Sequence, residues 1–200
     1  MTSMPSRECD ALAGPGRAVT TVGWLVAVWC LGFATANLVF ELSDHFTGGP
    51  LAAYATGISV LDWFVFGLKL LGASVAVLTV TRLPGSIRPG AVAVLAWGAA
   101  ALLGLYSLGN VVETAGMATG LVGSPDQITL RGLGYVLFFL LGAVGYTTLA
   151  RSFSRRYDVG RRAMFLGMLG APLVLGLILL AIPMLLVATG VMPDLGGLGQ

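Results

Sequence analysis

The chain has 200 residues, of which 56% are hydrophobic and only 10% charged, with a net charge of +2. A soluble domain carries about 25% charged residues, so this chain lacks the polar groups to cover its own surface, which excludes a soluble enzyme. Eleven basic residues against nine acidic ones make no basic face for phosphates, which excludes a nucleic-acid binder.

Residues 1–18 form a polar leader with Arg7, Cys9 and Arg17. The apolar run from Val19 to Phe33 follows, and Ala34-Thr35-Ala36 resembles a signal-peptidase site. Because the run continues through Leu38, Val39 and Phe40, the expectation is a retained span near 19–40 rather than a peptide cleaved near Ala36. Further apolar runs predict spans near 58–81, 91–112, 127–150 and 163–190. The expected fold is therefore all-α, a polytopic transmembrane helix bundle of five spans. It forms one domain over 19–190 with a short outer tail at 191–200. Arg82 to Gly90 holds two prolines and reads as a tight turn, and Arg151 to Arg162 as a short basic loop. The connections 41–57 and 113–126 are longer. Ser124-Pro-Asp-Gln127 has the form of a capping box with Pro at the first helical position, which predicts that the fourth helix begins at Pro125. Pro183 and Pro172 predict a bend in the fifth span, either a static kink or a hinge beside a site.

Orientation follows from the basic residues, which membrane proteins concentrate in cytoplasmic loops. With five crossings, Arg7, Arg17, Arg82, Arg88, Arg151, Arg155, Arg156, Arg161 and Arg162 share one side, nine of the eleven. Glu41, Asp44, Glu113, Asp126 and Asp194 take the other. The amino terminus is expected in the cytoplasm and the carboxyl terminus outside. The basic loop Arg151, Arg155, Arg156, Arg161 and Arg162 suits anionic lipid head groups or an acidic partner, although setting topology accounts for it alone.

Ionisable groups within spans mark sites or internal pairs. The set here is Asn37 and Glu41 at the end of the first span, Asp62 and Lys69 in the second, and Asn110 and Glu113 at the end of the third. At 1.5 Å per residue, Lys69 lies about 20 Å above the basic interface, Asn37 about 25 Å and Asn110 nearly 30 Å. All belong to the outer half. Side chains lean toward a helix's amino terminus, so Lys69 reaches outward while Glu41 and Glu113 reach inward. This predicts that Lys69 pairs with Glu41 or Glu113, that Asp62 sits nearer the water, and that the asparagines complete the hydrogen bonds. Two readings of this cluster compete. It registers helices against one another, or it forms an outward-opening polar pocket for a small molecule, an ion or a proton.

Other chemistry is thin. Cys9 and Cys30 form no C-x-x-C pair and no plausible disulfide, and Cys30 reads as a small buried hydrophobe. His45 beside Glu41 and Asp44 is a weak metal motif, so no metal site and no cofactor are expected. No nucleophile elbow, zinc-protease motif, phosphate loop or dinucleotide fingerprint occurs, and Ser107 lacks a base. Tyr54 and Trp63 fit an outer aromatic belt and Tyr157 an inner one. Ala163, Gly167 and Ala171, Gly72 and Ala76, and Ala100 and Gly104 give small residues at four-residue spacing, where helix backbones approach closely.

Of the eleven basic residues only Lys69 is not Arg, a bias typical of high-GC bacterial genomes. The run Asp62-Trp-Phe-Val-Phe-Gly-Leu-Lys-Leu-Leu-Gly72, followed by Leu95-Ala-Trp-Gly-Ala-Ala-Ala-Leu-Leu-Gly104 and the basic Arg151-to-Arg156 segment, resembles small, mostly uncharacterised multipass membrane proteins of actinobacteria. The resemblance covers roughly 58–156. It implies a bacterial plasma-membrane location and no site residues or activity. The expectation is a non-enzymatic accessory or structural component of that membrane, in contact with the bilayer and with a membrane-protein partner or a second copy of itself. The alternative is a small-molecule or ion transporter or sensor built on the outer polar cluster.

Overall fold

The computed structural model describes residues 14–43 and 52–191. Arg7, Cys9, Asp44, His45, Asp194, most of the leader and most of the outer tail lie outside the described residues, and with them the weak metal motif. The described chain is all-α. Its long helices are α1 (Arg17–Leu42), α2 (Ala55–Val80), α3 (Pro89–Thr119), α4 (Leu130–Arg156) and α5 (Arg161–Ala188). Each of the five is long and apolar enough to cross a membrane. Single 3₁₀ turns at Ala52–Tyr54 and Pro125–Gln127 precede α2 and α4.

Helix ends explain where the observed bounds differ from the expected ones. α3 continues past the expected end at 112 because Thr114 and Thr119 turn their hydroxyls back onto the Asn110 and Ala115 carbonyls, at 2.8 and 2.9 Å, and so fit within a helix. It stops at Gly120, which takes φ 72°, and there the Leu121 amide reaches the Gly116 carbonyl at 2.9 Å. α5 ends in the same way, with Gly190 at φ 71° and the Val191 amide on the Leu186 carbonyl at 3.0 Å. The expectation that the fourth helix begins at Pro125 is corrected. Ser124 donates its amide to Gln127 Oε1 at 3.2 Å, but this box closes only the 3₁₀ turn. α4 starts at Leu130, where the Thr129 side chain accepts from the Gly132 amide at 3.1 Å. The expected basic loop from Arg151 also shrinks, since α4 runs through Arg156. Neither Pro172 nor Pro183 ends α5, which is one continuous element.

α1 packs chiefly on α2, and α3 on α4 and α5, while α4 bridges to α1 and α2. In lipid the hydrophobic effect does not draw helices together, so close van der Waals contact must. The small residues supply it. Gly167 of α5 faces Trp97 and Gly98 of α3, where an added Cβ would stand 2.7 Å from Trp97 Cβ and 3.0 Å from the Gly98 nitrogen. Ala171, one turn on, meets Gly98. Gly72 and the fully buried Ala76 face the α1 and α4 surfaces that carry Cys30 and Tyr146. The Tyr146 hydroxyl and Cys30 Sγ lie 3.1 Å apart where α1, α2 and α4 meet. These small-residue stripes are occupied within the bundle. Gly104 differs, with open space around it.

One end of the bundle gathers the arginines. Leu83 and Ile87 of the α2–α3 turn pack with Tyr157 and Val159 of the α4–α5 turn against Val92, Ala93 and Phe153. The start of α1 joins them through Gly23 against Val80. Arg17, Arg82, Arg88, Arg155, Arg156, Arg161 and Arg162 therefore belong to the same end. Arg156 is built into it. Its Nη2 donates to the Thr79 carbonyl at 2.8 Å, in the last turn of α2, and its guanidinium stacks 4.9 Å from the Tyr157 ring. A cation there completes a carbonyl that the helix leaves unpaired. Tyr157, expected in an aromatic belt, packs 4.6 Å from Phe153.

Candidate functional site

At the end opposite the arginines, α1 and α2 present polar residues to each other. Asn37 and Glu41 lie four apart on α1, with Phe33 one turn further in, so the three share a face. Ser59, Asp62, Phe66 and Lys69 form the matching stripe on α2. The Ser59 hydroxyl donates to Glu41 Oε1 and joins the two stripes. Asn37, Glu41 and Asp62, with Leu38, Trp63 and Phe66, line a cleft of about 10 Å³. That is the room one water needs.

Lys69 lies deeper and makes a different contact from the expected one. Its ammonium donates to the Phe33 carbonyl at 3.4 Å and sits 3.3 Å from the centre of the Phe33 ring. The acceptor is backbone and the neighbour is aromatic, not Glu41 or Glu113. Phe33 belongs to a stack, 5.9 Å from Trp29 and 5.4 Å from Phe138 of α4, and Phe139 links it to Tyr106 of α3 at 4.4 Å. An ammonium over a ring face is attracted by the ring's quadrupole, and more strongly where water is excluded. Asp62, two turns from Lys69 on the same helix, feels both the Lys69 ammonium and the Glu41 carboxylate.

The α3 half of the expected cluster stands apart. Asn110 donates to the Tyr106 carbonyl of its own helix at 2.8 Å, and Glu113 is exposed. α3 packs on α4 and α5, so its outer end is not where α1 and α2 meet. Asn37, Glu41, Asp62 and Lys69 thus share one seam and Asn110 and Glu113 do not. Ser59 and Phe33 were missed, although both lie on the helical stripes of residues already singled out. Among the described residues no group of three or more His, Cys, Asp or Glu side chains is placed to hold a metal ion.

A larger feature opens sideways. α2 stands apart from the packed pair α3 and α5 and leaves a groove of about 520 Å³, lined only by apolar residues, among them Leu68 and Val75 of α2, Ala99 and Leu102 of α3, and Gly170 and Ile178 of α5. Its volume lies in the range of small-molecule sites, about 300 to 1,000 Å³. No charge or hydrogen-bonding side chain enters it, so shape and apolar contact are all it offers. Compared with protein-family models, curated proteins and solved structures, the chain matches none.

Proposed function

We propose that this multipass membrane protein is a non-enzymatic accessory component of a bacterial plasma membrane, acting through its lateral apolar surface and oriented with the arginine-rich end in the cytoplasm. The observation that carries the reading is the contrast between its two openings. The polar cleft has room for one water, whereas the opening of ligand size is lined by apolar residues alone. Two groups of the seam join the helices, Glu41 through Ser59 and Lys69 through Phe33.

Native mass spectrometry of the protein released from its own membrane tests this. The expected result is a retained lipid or subunit that survives Glu41→Gln and Asp62→Asn but is lost in Gly170→Leu. Gly170 lines the groove and an added Cβ there meets nothing within 4 Å, so a leucine side chain has an opening into the groove. A retained water-soluble molecule that depends on Glu41 or Asp62 would overturn the reading. For orientation, Ser86→Cys and Leu121→Cys are compared in a Cys9→Ser background that keeps the buried Cys30. In intact cells an impermeant thiol reagent is expected to label position 121 and not 86, and the reverse result refutes the orientation.

A further inference from the structure

The groove between α2, α3 and α5 has a floor and a direction. On each helix its lining begins a few residues in from the arginine-rich end, at Val75 on α2, Val94 on α3 and Leu166 on α5. Each of these helices also carries exposed arginine at that end: Arg82 after α2, Arg88 before α3, and Arg161 and Arg162 opening α5. At 1.5 Å per residue the arginines lie about 6 to 10 Å below the groove floor on all three helices. From Leu166 to Ile178 the groove then rises about 18 Å toward the bilayer centre and beyond. α4, which does not line the groove, carries Arg151 and Arg155 at the same end.

We infer that this groove is a binding site for one anionic phospholipid of the leaflet on the arginine side. An acyl chain lies in the groove, and the phosphate rests among Arg82, Arg88, Arg161 and Arg162. This rests on the reading that the protein works through its lateral surface and names the occupant. Charge complementarity selects it. A partner helix would meet the apolar walls equally well but brings no phosphate to the arginines beneath them, where Asp158 of the α4–α5 turn is the described acid. A phospholipid joins a long apolar chain to a phosphate at the depth where these residues stand. The amino termini of α3 and α5, Pro89 and Arg161, lie at this same end, so the positive ends of two helix dipoles add to the arginine charge.

The test uses the full chain in vesicles of equal phosphatidylglycerol and phosphatidylcholine with matched acyl chains, followed by native mass spectrometry of the lipids that stay bound. The expected result is an about tenfold excess of phosphatidylglycerol among retained lipid, since a basic residue near an anionic surface contributes enough for two or more arginines to supply it. Arg161→Gln with Arg162→Gln is expected to cut the excess at least threefold, with Arg82 and Arg88 supplying what remains. Arg151→Gln with Arg155→Gln, equal in charge removed but on α4, is expected to leave it within about twofold. Gly170→Leu should lower the number of retained lipids of both kinds. Retention with no head-group preference, or an equal loss in the α4 pair, would overturn the anionic assignment while the lateral-groove reading stands. Retention unaffected by Gly170→Leu would overturn both, and a protein subunit held in the groove with no lipid would overturn the lipid assignment alone.

Discussion

The two ends of the bundle are built on different principles. Toward the arginine-rich end, burial is dense and contiguous. Val92, Ala93, Ala96, Leu149, Ala150 and Phe153 are each at most 2% exposed, and close glycine contacts lock α3 to α5 and α1 to α2. Toward the acidic end, the buried residues of α1, α2 and α3 thin to Ala34, Gly57 and Ser107. That half contains the ionisable seam, and the lateral groove extends toward it. Packing and chemistry are thus separated along the helix axes. Contact among small side chains needs no polar groups, so the tight half can be almost wholly apolar. The looser half can keep Glu41, Asp62 and Lys69 because they are not forced into a dry, close-packed interior.

If the division is real, the largest effect should come from the centre of the tight half. Tyr146 is 1% exposed and joins three helices. Tyr146→Ala should cost about 4 kcal/mol, the usual cost of emptying an aromatic site, read by thermal unfolding in a single detergent. Tyr146→Phe keeps the ring and removes only the contact with Cys30, and should cost about 1 kcal/mol. Similar losses from both variants would mean that the hydroxyl, not the packing, holds the three helices.

Next comes a glycine pair chosen across the divide. Gly167→Val places a Cβ against Trp97 and the Gly98 backbone, which cannot give way as a flexible side chain would, and should cost about 3 kcal/mol. Gly104→Val meets open space on α3, beyond the tight contacts, and should change stability by about 0.5 kcal/mol or less. Equal effects at the two positions would erase the contrast between the halves.

What could be read from the chain divides along the same line. The number of helices and the gathering of arginines at one end were legible because span length, hydropathy and charge are local properties. Helix ends were less so. A search for apolar runs stopped before Glu113 and Arg151, where polar side chains continue the helix, and Gly120 was the stop signal passed over. Depth along a helix put Lys69, Asn37 and Asn110 in one half of the bundle, but depth does not say which helices are neighbours. The packing of α3 on α4 and α5 removed Asn110 and Glu113 from the seam. Lys69 chose a carbonyl and a ring because α1 offers Phe33 there, a long-range match with no local mark. The groove was least legible, since it exists only where α2 stands apart from the packed pair of α3 and α5.

The seam itself can be sharpened by a double-mutant cycle. Lys69→Met with Phe33→Leu should show a coupling of about 1 kcal/mol, the scale of a partly buried cation over a ring. Lys69→Met with Glu113→Gln should show none within error. A coupling in the second cycle that exceeds the first would restore the ion pair expected from sequence and displace the aromatic contact from its role.

The smallest effect lies at the outer connection before α4. A hydrogen bond from the Ser124 side chain, with a second from backbone, holds the exposed Asp126 carboxyl below the usual carboxylate range. A lowered folded value means that whatever Asp126 contributes is present above its ordinary titration range and disappears as pH falls through the lowered one. In a carboxylate titration followed by NMR, Ser124→Ala should move Asp126 back toward the ordinary value, and an unchanged titration would remove Ser124 as the cause. The bond lies within a short turn, and no contact in the arginine-rich half depends on it. Acid should therefore loosen the Pro125–Gln127 turn while the signals of Tyr146 and Trp97 stay unchanged. If those signals shift together with Asp126, the two ends respond as one unit, and the separation of packing from chemistry does not extend to the loops.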